Sequence, residues 1–365
     1  EYGDISAIEA VPGVEEVLVE RRYEPCVVKE ELTTDPMMST SDEMIGSTVV
    51  WASGYTGAGR KIAIIDTGID VDHPALDPDA LAYALEGSNA SLMTSADTAK
   101  VLSQLNAAKQ YKGLTAEDLY VNAKIPFGFN YVDNGLNIGH DKDTQGDHGS
   151  HVAGIAAANR YVKSADGSFE SALDATLTQG VAPDAQVLVM KVFDEQGSTS
   201  DAALNAGLDD AVKLGADSIN MSLGSTAGFY YDRGTEDEAY NNCWDAGVNL
   251  LIAAGNEYTN AYYNQYGNNL GQADTPDNAA VASPSTSYSA LSVASVNNAA
   301  VKSNYFKLGG ADAADEDRIA FSQAVNASTG ASLSIIDYLR TWSSDPSSNF
   351  PSFEYVVIGG IGADE

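Results

Sequence analysis

Five short, almost uninterrupted apolar runs set the terms for any fold this chain adopts. Residues 61–66, Lys-Ile-Ala-Ile-Ile-Asp, form the first and end in a carboxylate. Runs of the same kind follow at 186–192, 217–221, 248–254 and 291–296, with helical patterns at 149–159, 199–213 and 235–246 among them. A strand that is apolar along its whole length has both faces buried, and strands joined through helices run parallel. The pattern therefore predicts an α/β domain with a mainly parallel central sheet and helices on both faces. Ligands of such sheets bind beyond the carboxyl ends of the strands. The residues that close the runs are therefore the first candidates for chemistry.

Around this frame, residues 77–146 read as a long insertion. Its stretch 91–111 is helix-like, with Leu92, Val101, Leu102 and Leu105 as apolar residues, and 130–146 is a loop rich in Asn, Asp and Gly. Residues 29–45 read as a polar linker or surface strap, 301–350 as irregular, and 353–361 as a strand. A length of 365 residues fits one large domain, or one domain and a piece of another. No 18 apolar residues follow one another, so no transmembrane helix is expected. The opening Glu1-Tyr2-Gly3-Asp4 carries no signal pattern; either none exists or it lies upstream.

Charge and cysteine content narrow the partners. A formal net charge of −33 repels nucleic acid phosphates and anionic lipid, so neither is expected as a partner. The same charge is also what a plain solvated acidic surface gives. Cys26 and Cys243 are too few for a disulfide scaffold or a cysteine-type zinc site. Cys243 falls in a helical stretch and reads as a small core residue.

Four segments carry side chains capable of chemistry. Asp66-Thr67-Gly68-Ile69-Asp70 closes the first run. An Asp there is either functional or the cap of the next turn. Gly146-Asp147-His148-Gly149-Ser150-His151-Val152-Ala153-Gly154 holds two of the four histidines, the others being His73 and His140. Small neighbours let backbones pack closely there and leave an imidazole room to face a substrate. His148 and His151 also have the spacing of a metal pair, although no HExxH or Cys/His set is near. A hydrogen-bonded core histidine is the plainer reading of His151. Asn220-Met221-Ser222-Leu223-Gly224 closes the third run, and Ala253-Ala254-Gly255-Asn256 the fourth. A side-chain amide at a strand end can donate to charge that develops only in a transition state. An Asn in an ordinary turn is the alternative.

Taken together and in this order, the segments resemble those of the subtilisin-like serine proteases over roughly residues 45–300. Asp66-Thr67-Gly68 matches the family's Asp-Thr-Gly motif. The His148 segment matches His-Gly-Thr-His-Val-Ala-Gly, with Ser150 where Thr is usual. The resemblance implies a three-layer subtilisin-like α/β fold, a protein or peptide substrate, and no cofactor for the chemistry itself. It assigns Asp66, His148 and Asn256 as catalytic. It assigns Ser222, Leu223 and Gly224 to the substrate backbone, and Ala253, Ala254 and Gly255 to a substrate pocket wall. A narrower likeness to the lactocepin and C5a peptidase branch rests on 125–131, 281–287 and 290–295. That branch carries a protease-associated insert between the oxyanion Asn and the serine, and Tyr355-Val356-Val357-Ile358-Gly359-Gly360 is similar to its first strand. Residues 5–25 resemble the tail of a propeptide. The implied organisation is a propeptide tail at 1–28, a protease domain at 29–345 with its insertion at 77–146, and the start of the insert at 346–365. The implied location is extracellular or on the bacterial cell wall.

The family's nucleophile stands in Gly-Thr-Ser-Met-Ala, a motif these residues do not contain. Ser285 stands where Thr286-Ser287 would need a glycine, and Thr329-Gly330 does not fit. The resemblance thus implies a serine in a downstream part of the same polypeptide, a partner without which this chain does not complete the reaction. A structural calcium ion is a further family expectation. Ala75 follows His73-Pro74 where a ligating Asp is common, and the acidic loops at 132–147 and 194–201 lack EF-hand spacing, so no metal ligand is assigned. The rival readings are a subtilisin-like fold kept only for binding peptides and a metal-dependent hydrolase.

Overall fold

The computed structural model describes residues 7, 8, 10–14, 17, 23–25, 38–140, 146–176, 178–225, 235–256 and 281–296, and strands at 304–307, 318–321, 324–325 and 332–333. Contacts divide the chain into one unit of residues 1–30 and 34–300 and another of 31–33 and 301–365. The first contains strands β1 (Glu24–Pro25), β2 (Lys61–Asp66), β3 (Phe127–Asn130), β4 (Tyr161–Lys163), β5 (Phe169–Ser171), β6 (Gln186–Lys191), β7 (Ser218–Met221), β8 (Leu223–Gly224), β9 (Asn249–Ala253) and β10 (Leu291–Val293). Its helices are α1 (Met38–Ile45), α2 (Ser47–Ala52), α3 (Pro78–Ala84), α4 (Ser95–Val101), α5 (Asn106–Gln110), α6 (Ala116–Leu119), α7 (His148–Ala157), α8 (Ala172–Ala175), α9 (Asp201–Lys213) and α10 (Thr235–Asp245). Among the described residues, no helix is long and apolar enough to cross a membrane.

Six strands form one sheet in the order β10-β9-β7-β2-β6-β3, and every neighbouring pair is parallel. Alternation along the strands feeds two cores. Ala63, Ile65, Leu188 and Met190 point to one face, where Leu204, Leu208 and Ala211 of α9 and Tyr240 and Cys243 of α10 cover them. Ile64, Val187 and Val189 point to the other, against Ala153 and Ala157 of α7. This is the three-layer arrangement expected from the apolar runs. Cys243 is a core residue as expected, and burial pushes its thiol up to about 12. Cys26 lies outside the described residues.

Four expectations need correction. The stretch 77–146 does not stand apart from the sheet, because its residues 127–130 are β3, the sheet's edge strand beside β6. The helix-like stretch 91–111 is broken into α4, a 3₁₀ turn at Leu102–Gln104, and α5. The break has a tertiary cause. Asp210 of α9 accepts the backbone N–H groups of Asn106 (2.7 Å) and Ala107 (2.9 Å) and the hydroxyl of Tyr131 (2.9 Å), which starts a new helix on a buried carboxylate. The first two bonds satisfy amides that a continuous helix would have used internally. The strap at 29–45 ends in α1, where Ser47 Oγ donates to the carbonyl and carboxylate of Asp42, 3.0 Å each. The second unit is also not wholly irregular. It has antiparallel pairs β11 (Asn304–Lys307) with β12 (Arg318–Phe321), and β13 (Ala324–Val325) with β14 (Ser332–Leu333). The expected strand at 353–361 lies outside the described residues.

Lys124 is a charge with no exposed surface, just before β3. Its Nζ donates to the carbonyls of Pro183 and Ala185, 2.8 Å each. Burial pushes its ammonium from 10.5 down to about 7, against the attraction of Asp184. The unfolded chain keeps this proton up to its ordinary value while the folded chain releases it near pH 7, so the unfolded state binds more protons in between. The cost of burying the charged form is complete below pH 7 and is relieved as the pH rises toward 10.5. In urea unfolding, Lys124→Met is expected to make stability rise less steeply with pH across that window than in the parent. Equal slopes would mean that the folded protein holds the proton throughout.

Candidate active site

The carboxyl edge of the sheet gathers the polar ends of the strands. β2 closes on Asp66, whose register partner on β6 is Lys191. Asp66 is 1% exposed. Its Oδ1 accepts the backbone N–H of Thr67 (2.7 Å) and lies 2.7 Å from Nδ1 of His148. The His148 side chain is 10% exposed and is the first residue of α7. A charge-assisted contact this short, between groups this buried, holds Nδ1 of the imidazole against the carboxylate.

The contact depends on a close approach of two backbones. Gly68 has φ +110°, and Gly149 stacks against it: a β-carbon on Gly149 would lie 2.1 Å from Gly68 O. A β-carbon on Gly68 would lie 2.4 Å from Ile138 O. The Gly149 N–H donates to Thr67 Oγ1 at 3.0 Å, so helix and strand-end loop are joined one residue beyond the Asp66–His148 pair. Lys191 Nζ donates to the Thr67 carbonyl. Further along α7, buried Ala153 and Ala157 continue the small face begun by Gly149, at intervals of four residues.

The other candidates lie at the same edge of the sheet. β7 is flanked by β2 and β9, so Ser222, after β7, stands between the ends carrying Asp66 and Asn256. Asn220 Nδ2 donates to Ser222 Oγ at 3.0 Å. Leu223 is buried and Gly224 half-buried. Ala254 is held on two sides: its N–H donates to Val293 O, and its carbonyl accepts the N–H of Ala282, both at 2.8 Å. Gly255 turns the chain with φ +108°, and Asn256 is exposed at the end of the turn. Ala253, Ala254 and Gly255 are half-buried. Direct side-chain contact is thus present for Asp66 with His148, while the remaining candidates share the edge. His151 is exposed, which corrects its reading as a core histidine. Among the described residues, no three His, Cys, Asp or Glu side chains converge as metal ligands.

Three participants escaped the sequence reading. Thr67 sits inside the Asp-Thr-Gly motif, and its hydroxyl links to Gly149. Lys191 closes β6 as Asp66 closes β2, and a polar residue near the end of an apolar run was the available signal. The third is the chain itself. β1 lies antiparallel on β8, with Glu24 opposite Gly224 and Pro25 opposite Leu223, and Tyr23 is fully buried in the core beside them.

The structure thus holds a buried Asp–His pair at the carboxyl edge of a parallel sheet. Comparison with known proteins gives it a lineage. Residues 57–342 match the Subtilase family, Peptidase_S8. The chain is 34% identical over 301 residues to the PIII-type proteinase of Lactococcus lactis subsp. cremoris, covering 81% of this chain and 13% of that protein. It is 31% identical over 205 residues to the Minor extracellular protease Vpr of Bacillus subtilis, covering 55% and 18%. It is 30% identical over 244 residues to the C5a peptidase of Streptococcus pyogenes, covering 66% and 18%. This chain belongs to the subtilase family. It spans less than a fifth of the length of these relatives, which include the lactocepin and C5a peptidase types that the motifs resemble.

Gly149→Ala is expected to cost about 3 kcal/mol or more, because backbone atoms cannot yield to the added carbon. Gly154 on the same helix has nothing within 4 Å of an added β-carbon. Gly154→Ala should therefore be neutral or stabilise by up to about 1 kcal/mol. Urea denaturation of the two variants checks the contrast.

Proposed function

We propose that this chain supplies most of the catalytic site of a subtilisin-type serine endopeptidase whose serine lies in a further part of the same polypeptide. The 2.7 Å contact between Asp66 Oδ1 and His148 Nδ1 at the end of β2 carries the reading. Asp66 fixes the tautomer, with the proton on Nδ1, and stabilises the imidazolium. His148 takes the serine proton through Nε2 and later gives it to the leaving amine. Asn256 donates to the oxyanion of the tetrahedral intermediate. An extended substrate adds as a strand to Ser222, Leu223 and Gly224, with Ala253–Gly255 as one wall of its pocket. Leu291, Val293 and Val296 are exposed apolar side chains in and after the edge strand β10, which is consistent with more polypeptide covering this edge.

The propeptide reading of residues 1–28 draws support from β1, which lies on β8 where a substrate strand would add. The extracellular or cell-wall location rests on relatives such as the Minor extracellular protease Vpr. The expected substrate is an extended segment of protein.

In a longer polypeptide that includes the serine, His148→Ala is expected to lower peptide hydrolysis at least about 10⁴-fold while circular dichroism stays unchanged. Near-parental hydrolysis would remove His148 from the mechanism. On the 365-residue chain itself, a fluorophosphonate probe should leave no adduct in peptide mass spectra. An adduct on Ser287 or another serine would mean that the nucleophile is already present. Burial of an aromatic ring contributes about 2 kcal/mol. Tyr23→Ala is therefore expected to tighten binding of an extended fluorescent peptide at least about tenfold, as read by polarisation.

A further inference from the structure

Three consecutive residues of α7 bond to the loop after β2. His148 contacts Asp66, Gly149 N–H donates to Thr67 Oγ1, and Ser150 Oγ accepts the N–H of Asp70 at 2.7 Å. A third segment closes on this junction. Ile138 O accepts the N–H of Ile69 at 2.8 Å, and His140 Nε2 lies 2.5 Å from Ser150 Oγ. Helix, strand-end loop and segment 138–140 are thus tied in pairs, and Ser150 belongs to two of the three ties. Having accepted from Asp70, the hydroxyl retains one hydrogen, and His140 Nε2 is the acceptor within reach.

We infer that His140, acting through Ser150, is a positioning residue for His148: their hydrogen bond fixes the first turn of α7 against the loop that follows Asp66. The inference rests on the catalytic reading of Asp66 and His148. Neither His140 nor Ser150 touches the reacting atoms. The ring of His148 can pivot if α7 tilts, because one contact to Asp66 fixes a point and not an angle. The Gly149–Thr67 bond adds a second point one residue along, and Ser150 a third two residues along. The third lies farthest from the Asp66 contact along the chain and so gives the longest lever against tilting. Ser150 stands where the family's motif commonly has threonine, which supplies the same hydroxyl on a stiffer side chain.

The test uses the 365-residue chain with ¹⁵N-labelled histidine. Its four histidines can be assigned by single His→Gln substitutions. The observable is the Nδ1 proton of His148, shifted far downfield by its bond to Asp66, and the rate at which it exchanges with solvent. Ser150→Ala and His140→Ala are each expected to speed exchange about fivefold to tenfold, the population change that one lost hydrogen bond brings. Ser150→Thr should restore the parental rate. Leu208→Ala, a core change in α9 of the opposite layer, should lower stability without moving this proton. Unchanged shift and exchange in folded Ser150→Ala and His140→Ala would overturn the inference and leave the catalytic reading intact. Equal acceleration in Leu208→Ala would also overturn it, by reducing the effect to general destabilisation. Absence of a downfield His148 proton in the parent would instead remove the Asp66–His148 pair, and the inference with it.

Discussion

Gly68 and Gly149 meet backbone to backbone, and the contact between Asp66 and His148 depends on that approach. A side chain on Gly149 would strike the Gly68 carbonyl and hold α7 away from the end of β2, and one on Gly68 would strike the Ile138 carbonyl; neither main-chain group can rotate aside. The approach brings an imidazole at the first position of a helix within 2.7 Å of a carboxylate at the last position of a strand. Helix and strand each contribute one rigid end, so the geometry is set by packed elements and not by a loop. The small face of Gly149, Ala153 and Ala157 extends the same closeness along the helix and into the second core.

Buried charges in this fold are held by hydrogen bonds. Lys191 reaches a carbonyl beside Asp66, Lys124 two carbonyls under β6, and Asp210 two amides and a phenol. Each would be costly alone. Arg160 and Asp184 pair in the same way, with Nε 2.9 Å from Oδ1, and Thr56 donates to the other carboxylate oxygen. These contacts fasten the segment 77–146 and the loop before β6 to the sheet. The residues around Asp66 therefore rest on a braced layer although much of the connecting chain is irregular.

The pairing of β1 with β8 links the protein's fold to its proposed action. A strand edge offers its backbone groups to any extended chain that can pair with it. In this structure the chain's own residues 24 and 25 take that position, and Tyr23 enters the core with them. Recognition of backbone by backbone needs few specific side chains. For that reason Leu223 and Gly224 drew less notice in the sequence than Asp66 or His148.

How far the sequence reached can be judged element by element. The runs at 61–66 and 186–192 were legible as strands because a parallel strand covered on both faces must be apolar throughout, and the helices between them followed from periodicity. β3 was missed: its four residues, Phe127–Asn130, contain a glycine and lie inside a stretch whose loops dominate its composition. The helix at 91–111 was overextended because nothing local announces that a carboxylate 104 and 103 residues away will capture the amides of Asn106 and Ala107. His151 read as a core histidine, and only the direction of α7 shows that His148 has the buried ring and His151 the exposed one. The sequence by itself determined the α/β class, the order of strands and helices, and which polar residues close the strands, because these follow from burial and local periodicity. Tertiary structure alone decided which of those residues meet, that Tyr23 and its neighbours lie on β8, and that Asp210 breaks a helix. Such contacts join segments far apart in the chain, and their geometry depends on how the layers pack.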